Sequence, residues 1–150
     1  AIRGVAFGAV GTAGQRCTST RRLFLHKDIS AEFTSRLVAA YKKLPIGPAL
    51  DTSVLVGPLI DQDAIDQFLA SIKIAEEQGG EVLAGGKALD REGFYVEPTI
   101  IKATVDMAIT KHETFAPLLY IFEYEDLQDA IFEQNNVPQG LSSSLFTDSF

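Results

Sequence analysis

Apolar residues recur every three or four positions in three stretches of the chain, and this spacing predicts three amphipathic helices. A further stretch near the start is rich in Ala and Gly, which predicts a helix that packs closely against its neighbours. The first, third and fourth predicted helices span residues 2–13, 61–78 and 126–135, and the second ends at Lys42 and Lys43. Asp28 or Ser30 is expected to cap the second helix. In the last helix, Leu127, Ala130 and Ile131 are expected to face the core.

Runs of β-branched, aromatic and other apolar residues separate these helices and predict strands. The predicted strands span residues 21–26, 81–84, 95–102, 118–124 and 141–147. Because Pro98 lacks a backbone N–H, the stretch around it is expected to lie at a sheet edge or in an extended connection. Strands that alternate with helices predict an α/β domain, built on a mostly parallel sheet flanked by helices.

The composition is that of an ordinary globular domain, and it narrows the classes of partner. Of the 150 residues, 46% are hydrophobic and 22% are charged, and this length suffices for one core. The net charge of −7 at pH 7 argues against nucleic acid as a partner. No apolar run reaches the roughly 18 residues of a membrane span. A single cysteine favours a reducing compartment, expected to be the cytoplasm.

Both ends of the chain suggest that it is part of a longer polypeptide. The chain opens at Ala1 without an initiator Met, since its one Met is Met107. Its first residues have the small, apolar character of the middle of a buried helix. The alternative is a processed or trimmed small domain.

Cys17, the only cysteine, is the strongest candidate for chemistry. It follows the first predicted helix, and Gly11 and Gly14 leave room for a ligand or another backbone to approach. Gln15 and Arg16 place polar donors beside the sulfur, and a neighbouring cation in general favours a thiolate. The alternative is that Cys17 is a small buried hydrophobe in a non-catalytic α/β interaction fragment.

A second polar segment, residues 112–117, precedes the most hydrophobic of the predicted strands. Its Glu113 and Phe115 either aim a carboxylate and a ring at a ligand or belong to a simple connection. Neither His26 nor His112 lies at metal-ligand spacing to Cys17, so no metal site is predicted. A thiol hydrolase would need one of these two histidines beside Cys17.

Three motifs in order along the chain resemble those of the aldehyde dehydrogenase superfamily. They are Gly-Gln-Arg-Cys at residues 14–17, Glu-Thr-Phe-Ala-Pro at 113–117, and Asn-Asn at 135–136 followed by Gly-Leu at 140–141 and Phe-Thr at 146–147. The superfamily usually has Gly where this chain has Ala116. That Ala, together with Gln-Gly-Leu-Ser-Ser-Ser at 139–144, resembles the antiquitin group of α-aminoadipic semialdehyde dehydrogenases.

The resemblance implies NAD(P)⁺-dependent oxidation of an aldehyde to a carboxylic acid. Cys17 is implied to be the nucleophile, which forms a thiohemiacetal and then a thioester. Glu113 is implied to bind the nicotinamide ribose, with Phe115 near the nicotinamide and Leu141 lining the same pocket. Arg16 is implied to bind the remote carboxylate of an acidic semialdehyde, which suits a guanidinium group. The implied cofactor is NAD, with NADP as the alternative.

The resemblance also implies that residues 1–150 are part of a catalytic domain. The cofactor-binding domain, the general base, the Asn partner of the oxyanion site and the oligomerisation segment are expected outside them. The fragment by itself is therefore expected to be inactive. The complete protein is expected to be a cytoplasmic homo-oligomer, a tetramer by family analogy. Its expected partner is a small-molecule aldehyde substrate, and neither nucleic acid nor a membrane is expected as a partner.

Overall fold

A computed structural model describes residues 1–148, in which four helices and four strands form an α/β architecture. The helices are α1 (Ile2–Val10), α2 (Lys27–Tyr41), α3 (Gln62–Glu77) and α4 (Leu127–Asn135). The strands are β1 (Arg22–His26), β2 (Glu81–Ala84), β3 (Thr99–Lys102) and β4 (Leu118–Tyr124). Short 3₁₀ turns span Gly11–Gly14 and Ala108–Lys111.

The four strands form one sheet in the order β1-β4-β3-β2. Strand β4 runs parallel to both β1 and β3, whereas β2 pairs antiparallel with β3. The predicted mostly parallel α/β sheet is therefore confirmed. The first five residues of β4 are all buried, as expected for a continuous apolar strand that is covered on both faces. Leu37 of α2 and Phe68 of α3 are also fully buried in this core.

Side chains at the helix starts explain where two of the helices begin. The Asp61 carboxylate accepts a hydrogen bond from the Ala64 N–H at 2.9 Å and caps α3. Helix α2 follows β1 without a loop, and the His26 ring accepts a hydrogen bond from the Asp28 N–H at 3.3 Å. The expectation that Asp28 or Ser30 caps this helix is wrong, because the last residue of the strand supplies the cap.

The expectation about Pro98 is confirmed, whereas the expectation about the inward face of α4 is wrong in part. Pro98 lies in an extended connection before β3, one of the two positions expected for it, and its missing N–H therefore falls outside the ladder. In α4, only Ala130 is buried, whereas Leu127 and Ile131 are 46% and 45% exposed. The expectation that all three face the core is wrong for Leu127 and Ile131. Helical spacing identifies an apolar face but not whether another element covers it.

Residues 141–147, which we call the Leu141 segment, do not form the predicted strand. All seven residues are exposed and none has strand pairing in the described part of the chain. The segment passes close to α1, since a Cβ built at Gly4 would lie 3.4 Å from the Phe146 ring. A strand sequence becomes a strand only where a sheet edge is available to pair with it. None of the helices described in residues 1–148 has the length and apolar character needed to cross a membrane.

Candidate active site

Cys17 lies in a tight turn between α1 and β1, which we call the cysteine loop (residues 11–19). Arg16 and Ser19 close this turn: the Arg16 N–H donates to Ser19 Oγ at 3.2 Å, and the Ser19 N–H donates to the Arg16 carbonyl at 3.1 Å. Cys17 occupies the exposed part of the turn as a free thiol. This exposure does not fit the alternative in which Cys17 is a buried hydrophobe.

The backbone that leads into the turn is strained. Thr12 and Ala13 have φ values of 56° and 52°, and Gly14 follows at 68°. For residues other than Gly, this left-handed conformation costs roughly 1–2 kcal/mol each. Such strain persists only where surrounding contacts hold it, and it is common at functional sites. The contacts that hold it here come from residues 113–117 and from Arg21.

Gly14 makes the closest of these contacts. A Cβ at this position would lie 2.3 Å from the Ala116 carbonyl oxygen and 2.6 Å from Pro117 N. Both neighbours are backbone atoms, which cannot rotate away as a flexible side chain could. Gly14 is therefore required both for its positive φ and for the close approach of two backbones. The contact brings the first and second sequence motifs together.

Arg21 connects the same two segments through hydrogen bonds. Its Nη1 donates to the Ala116 carbonyl at 2.9 Å, and its Nη2 donates to the carbonyls of Gly14 at 2.8 Å and Arg16 at 3.2 Å. One guanidinium group thus holds the cysteine loop against residues 113–117. A planar fork with several donors suits this task, whereas a lysine could not reproduce it.

The charge of Arg21 is also balanced within the site. Its Nη2 lies 3.9 Å from Glu113 Oε1, and its guanidinium carbon lies 5.5 Å from the centre of the Phe115 ring. Burial lowers the pKa of Arg21, and the Glu113 carboxylate opposes this shift. Arg21 therefore contacts both Glu113 and Phe115, the two residues that the second motif singles out.

A cavity of about 280 Å³ opens beside these residues and has Phe115 and Gln15 in its lining. Gln15 holds one wall, because its Oε1 accepts from the Ile60 N–H at 2.9 Å and its Nε2 donates to the Pro58 carbonyl at 3.3 Å. The lining is completed by residues of α3 and its approach, namely Ile60, Asp61, Asp63, Ala64, Gln67, and by Thr114. The cavity has the concave shape of a ligand site, with an aromatic ring and several polar groups.

The fold brings four of the five candidate residues to one place. Cys17 and Arg16 lie in the cysteine loop, and Arg21 joins this loop to Glu113 and Phe115. Leu141 is 62% exposed and is linked to this region only indirectly. The nearby Gln139 donates to the Lys111 carbonyl at 3.2 Å, two residues before Glu113.

The histidines do not support the thiol hydrolase. His26 caps α2, and among residues 1–148 no hydrogen bond joins either His26 or His112 to Cys17. The described part of the chain also contains no group of three or more His, Cys, Asp or Glu side chains that could hold a metal ion.

Reasoning from the residues alone anticipated the close approach of another backbone at Gly14, although not its partner Ala116, and it missed the role of Arg21. Arg21 stands next to a second arginine at the start of a predicted strand, where a basic pair suggests only a solvated end. The sequence offers one signal for a role of Arg21: it is a charged residue that directly precedes an apolar strand and lies close to the candidate nucleophile. It does not reveal which carbonyl groups the side chain will reach.

Comparison with known sequences shows one family throughout. The profile of the aldehyde dehydrogenase family matches residues 1–150. An aldehyde dehydrogenase family 7 member A1 of Pisum sativum is 48% identical over 98% of this chain. An alpha-aminoadipic semialdehyde dehydrogenase of Mus musculus is 49% identical over 97% of it. These matches cover 29% and 27% of the two proteins, so the chain spans less than a third of the length of these curated relatives.

Solved structures agree with this result. Betaine aldehyde dehydrogenase from Staphylococcus aureus, in complex with NAD⁺, matches with a TM-score of 0.95 and 27% identity, over 98% of this chain and 30% of that one. Lactaldehyde dehydrogenase from Escherichia coli matches with a TM-score of 0.87 and 30% identity, over 91% and 29%. The resemblance noted in the sequence is confirmed: the chain belongs to the aldehyde dehydrogenase family.

Proposed function

We propose that this chain carries the nucleophile of an NAD(P)⁺-dependent aldehyde dehydrogenase that oxidises an acidic semialdehyde. One observation carries the proposal: the Arg21 guanidinium joins the loop of an exposed Cys17 to the segment of Glu113 and Phe115. The shared location of a nucleophile, a carboxylate and an aromatic face suits a reaction between two bound molecules, the aldehyde and the cofactor.

The Cys17 thiolate attacks the aldehyde carbon, forming a C–S bond while the carbonyl electrons move to oxygen. The Cys17 backbone N–H donates to no group within residues 1–148, so it is free to bind the developing oxyanion. NAD(P)⁺, when bound, supplies the acceptor for the hydride that leaves the thiohemiacetal carbon with its electron pair, which yields a thioester. Water then cleaves the C–S bond, releasing the carboxylate and regenerating Cys17.

The residues beside Cys17 fit a nicotinamide cofactor. The Glu113 carboxylate is 43% exposed and contacts Arg21 on one side, which leaves acceptor positions for the hydroxyls of a ribose. The Phe115 ring is 45% exposed and lines the 280 Å³ cavity, so a flat aromatic group can pack against it. Glu113 would hold the ribose and Phe115 the nicotinamide, with Leu141 as a further apolar contact.

Arg16 supports an acidic substrate. Its backbone is fixed by Ser19 and Arg21, while its exposed side chain forms no ion pair within residues 1–148. An unpaired guanidinium next to the nucleophile suits the remote carboxylate of a semialdehyde. The mouse relative is named for α-aminoadipic semialdehyde, and we propose this compound as the substrate.

We propose that the rest of the machinery lies in other parts of a complete protein; in support, the chain spans less than a third of the length of its curated relatives. We propose a homotetramer in the cytoplasm, with NAD as the cofactor and NADP as the alternative. We also propose that residues 1–150 alone produce no NADH from any aldehyde. NADH production by this fragment would contradict that part of the proposal.

The central test uses the complete enzyme with Cys17→Ala and Cys17→Ser. Both variants are expected to lose NADH production, and only the wild type should form an acyl adduct on Cys17 that intact-peptide mass spectrometry detects. Labelling by iodoacetamide near neutral pH should be fast at Cys17 in the wild type. Retained activity in Cys17→Ala, or a thiol that labels only after unfolding, would favour the non-catalytic alternative.

A further inference from the structure

Two arginines differ from the others in the chain because their guanidinium groups have no partner within residues 1–148. The chain has six arginines, and four of them contact carbonyl groups, a carboxylate or aromatic rings. These four are Arg21, Arg22, Arg36 and Arg91. The other two are Arg3 and Arg16, and no carboxylate of the described residues lies within 4 Å of either.

Arg3 and Arg16 line the same cavity. It has a volume of about 270 Å³ and lies between α1 and the loop that follows α2. Arg3 and Phe7 are one helical turn apart, so they lie on the same face of α1. Phe7 and Leu55 form exposed apolar walls. The two guanidinium groups without a partner among residues 1–148 thus line one apolar cavity, and one of them, Arg16, directly precedes Cys17 in the sequence.

The electrostatics of this cavity oppose those of the whole chain. The chain carries a net charge of −7, yet among residues 1–148 the cavity is lined by two guanidinium groups and by no acidic residue. A concave surface with one sign of charge over apolar walls concentrates ligands of the opposite sign. Guanidinium groups match the planar geometry of a carboxylate, and apolar walls match a methylene chain.

We infer that this cavity is an anion-binding subsite for the remote carboxylate and methylene chain of the aldehyde substrate, with Arg3 as a specificity-determining residue beside Arg16. The inference rests on the proposed function, because Cys17 fixes the reacting end of the substrate. It adds a second cation, from a different element, to the recognition of the acid. Two cations that line one apolar cavity favour a substrate with a remote carboxylate over a neutral one.

The kinetic test compares Arg3→Gln, Arg3→Lys and Arg3→Glu in the complete enzyme. Arg3→Gln should raise KM for glutaric semialdehyde roughly tenfold, while KM for the neutral pentanal stays within about twofold. Arg3→Lys should keep most of the preference for the acid. Arg3→Glu should raise KM for glutaric semialdehyde further, and it should improve kcat/KM for the cationic betaine aldehyde. Arg36→Gln, an exposed arginine paired with Glu32 on α2, is the matched control and should change none of these values.

A binding test separates this inference from the proposed function. Adipate, a dicarboxylate, should bind the wild-type enzyme in calorimetry, and Arg3→Gln should weaken this binding roughly tenfold. If adipate binding depends on Arg3 but no aldehyde yields NADH, the proposed function fails and the anion subsite stands. If the enzyme oxidises aldehydes but Arg3→Gln and Arg3→Glu affect acidic and neutral substrates alike, the subsite is overturned and the proposed function stands.

Discussion

In the cysteine loop, Arg21 donates to two backbone carbonyls, and Gly14 lies against the peptide between Ala116 and Pro117. In the Leu141 segment, by contrast, every residue is exposed and none pairs with a strand of the described chain. Both regions carry motif residues at the expected spacing. Matching a motif is therefore not enough to indicate how firmly its residues are held, and the two regions should respond differently to the same kind of substitution.

The largest difference is expected at the glycines. Gly14→Ala places a Cβ 2.3 Å from the Ala116 carbonyl oxygen at a positive φ, so it should destabilise the complete enzyme by about 3 kcal/mol or more. Gly140→Ala, directly before the Leu141 segment, places a Cβ that meets no described residue other than its chain neighbours within 4 Å, and it should change stability by less than about 0.5 kcal/mol. Urea unfolding followed by circular dichroism measures both. Equal effects would remove the distinction between the two regions.

The next largest difference concerns hydrogen bonds that join segments. Arg21→Gln leaves the Gly14 and Ala116 carbonyls without their donor and should cost about 1–3 kcal/mol, with a loss of kcat. Arg21→Lys should recover only part of the loss, because an ammonium group lacks the fork. Gln139→Ala removes an exposed bond to Lys111 and should cost less than about 1 kcal/mol. An Arg21 variant with normal kcat would show that the connection does not matter for catalysis.

A smaller effect is expected in cofactor affinity. Phe115→Ala removes the ring that lines the cavity and should raise the Kd for NAD⁺ roughly five- to tenfold. Leu141→Ala should raise it less than about threefold, because the Leu141 side chain is 62% exposed. Fluorescence titration of the complete enzyme measures both values without turnover. A larger effect at Leu141 would mean that the segment closes over the cofactor in the complete protein.

The smallest effect is expected where a single polar side chain holds a wall. Gln15→Ala frees the Ile60 N–H and should lower stability by about 1 kcal/mol. Ser142→Ala, in the exposed Leu141 segment, should have no measurable effect on the melting temperature. If both variants have the melting temperature of the wild type, the hydrogen bond between Gln15 and Ile60 does not contribute to stability.

The elements with the most continuous patterns were predicted with their observed bounds. Residues 81–84 and 118–124 coincide with β2 and β4, because each is an apolar run that is too short for a helix and is bounded by turn residues. The errors fall where burial depends on a second element. Leu127 and Ile131 have helical spacing and residues 141–147 have a strand-like sequence, but all of these residues are exposed in the described part of the chain.

The candidate site was predictable in its chemistry but not in its assembly. Cys17, with polar neighbours and nearby glycines, is a candidate nucleophile from its surroundings in the sequence. Glu113 and Phe115 alone were equally compatible with a simple connection, and the family motifs decided between these interpretations. Arg21 could not be predicted as the connecting residue, because its partner Ala116 lies 95 residues away in the sequence whereas its partner Gly14 lies seven residues away.

The sequence by itself determined the α/β class, the central apolar strand, the family and the identity of the candidate nucleophile, because each depends on local patterns or short motifs. The tertiary structure alone decided that Gly14 must meet the Ala116 backbone, that Arg21 holds the two motifs together, and that Arg3 shares a cavity with Arg16. The physical reason is that hydrogen bonds, close backbone contacts and cavities depend on distances in space. Residues far apart in the chain reach those distances only when the sheet and its helices have packed.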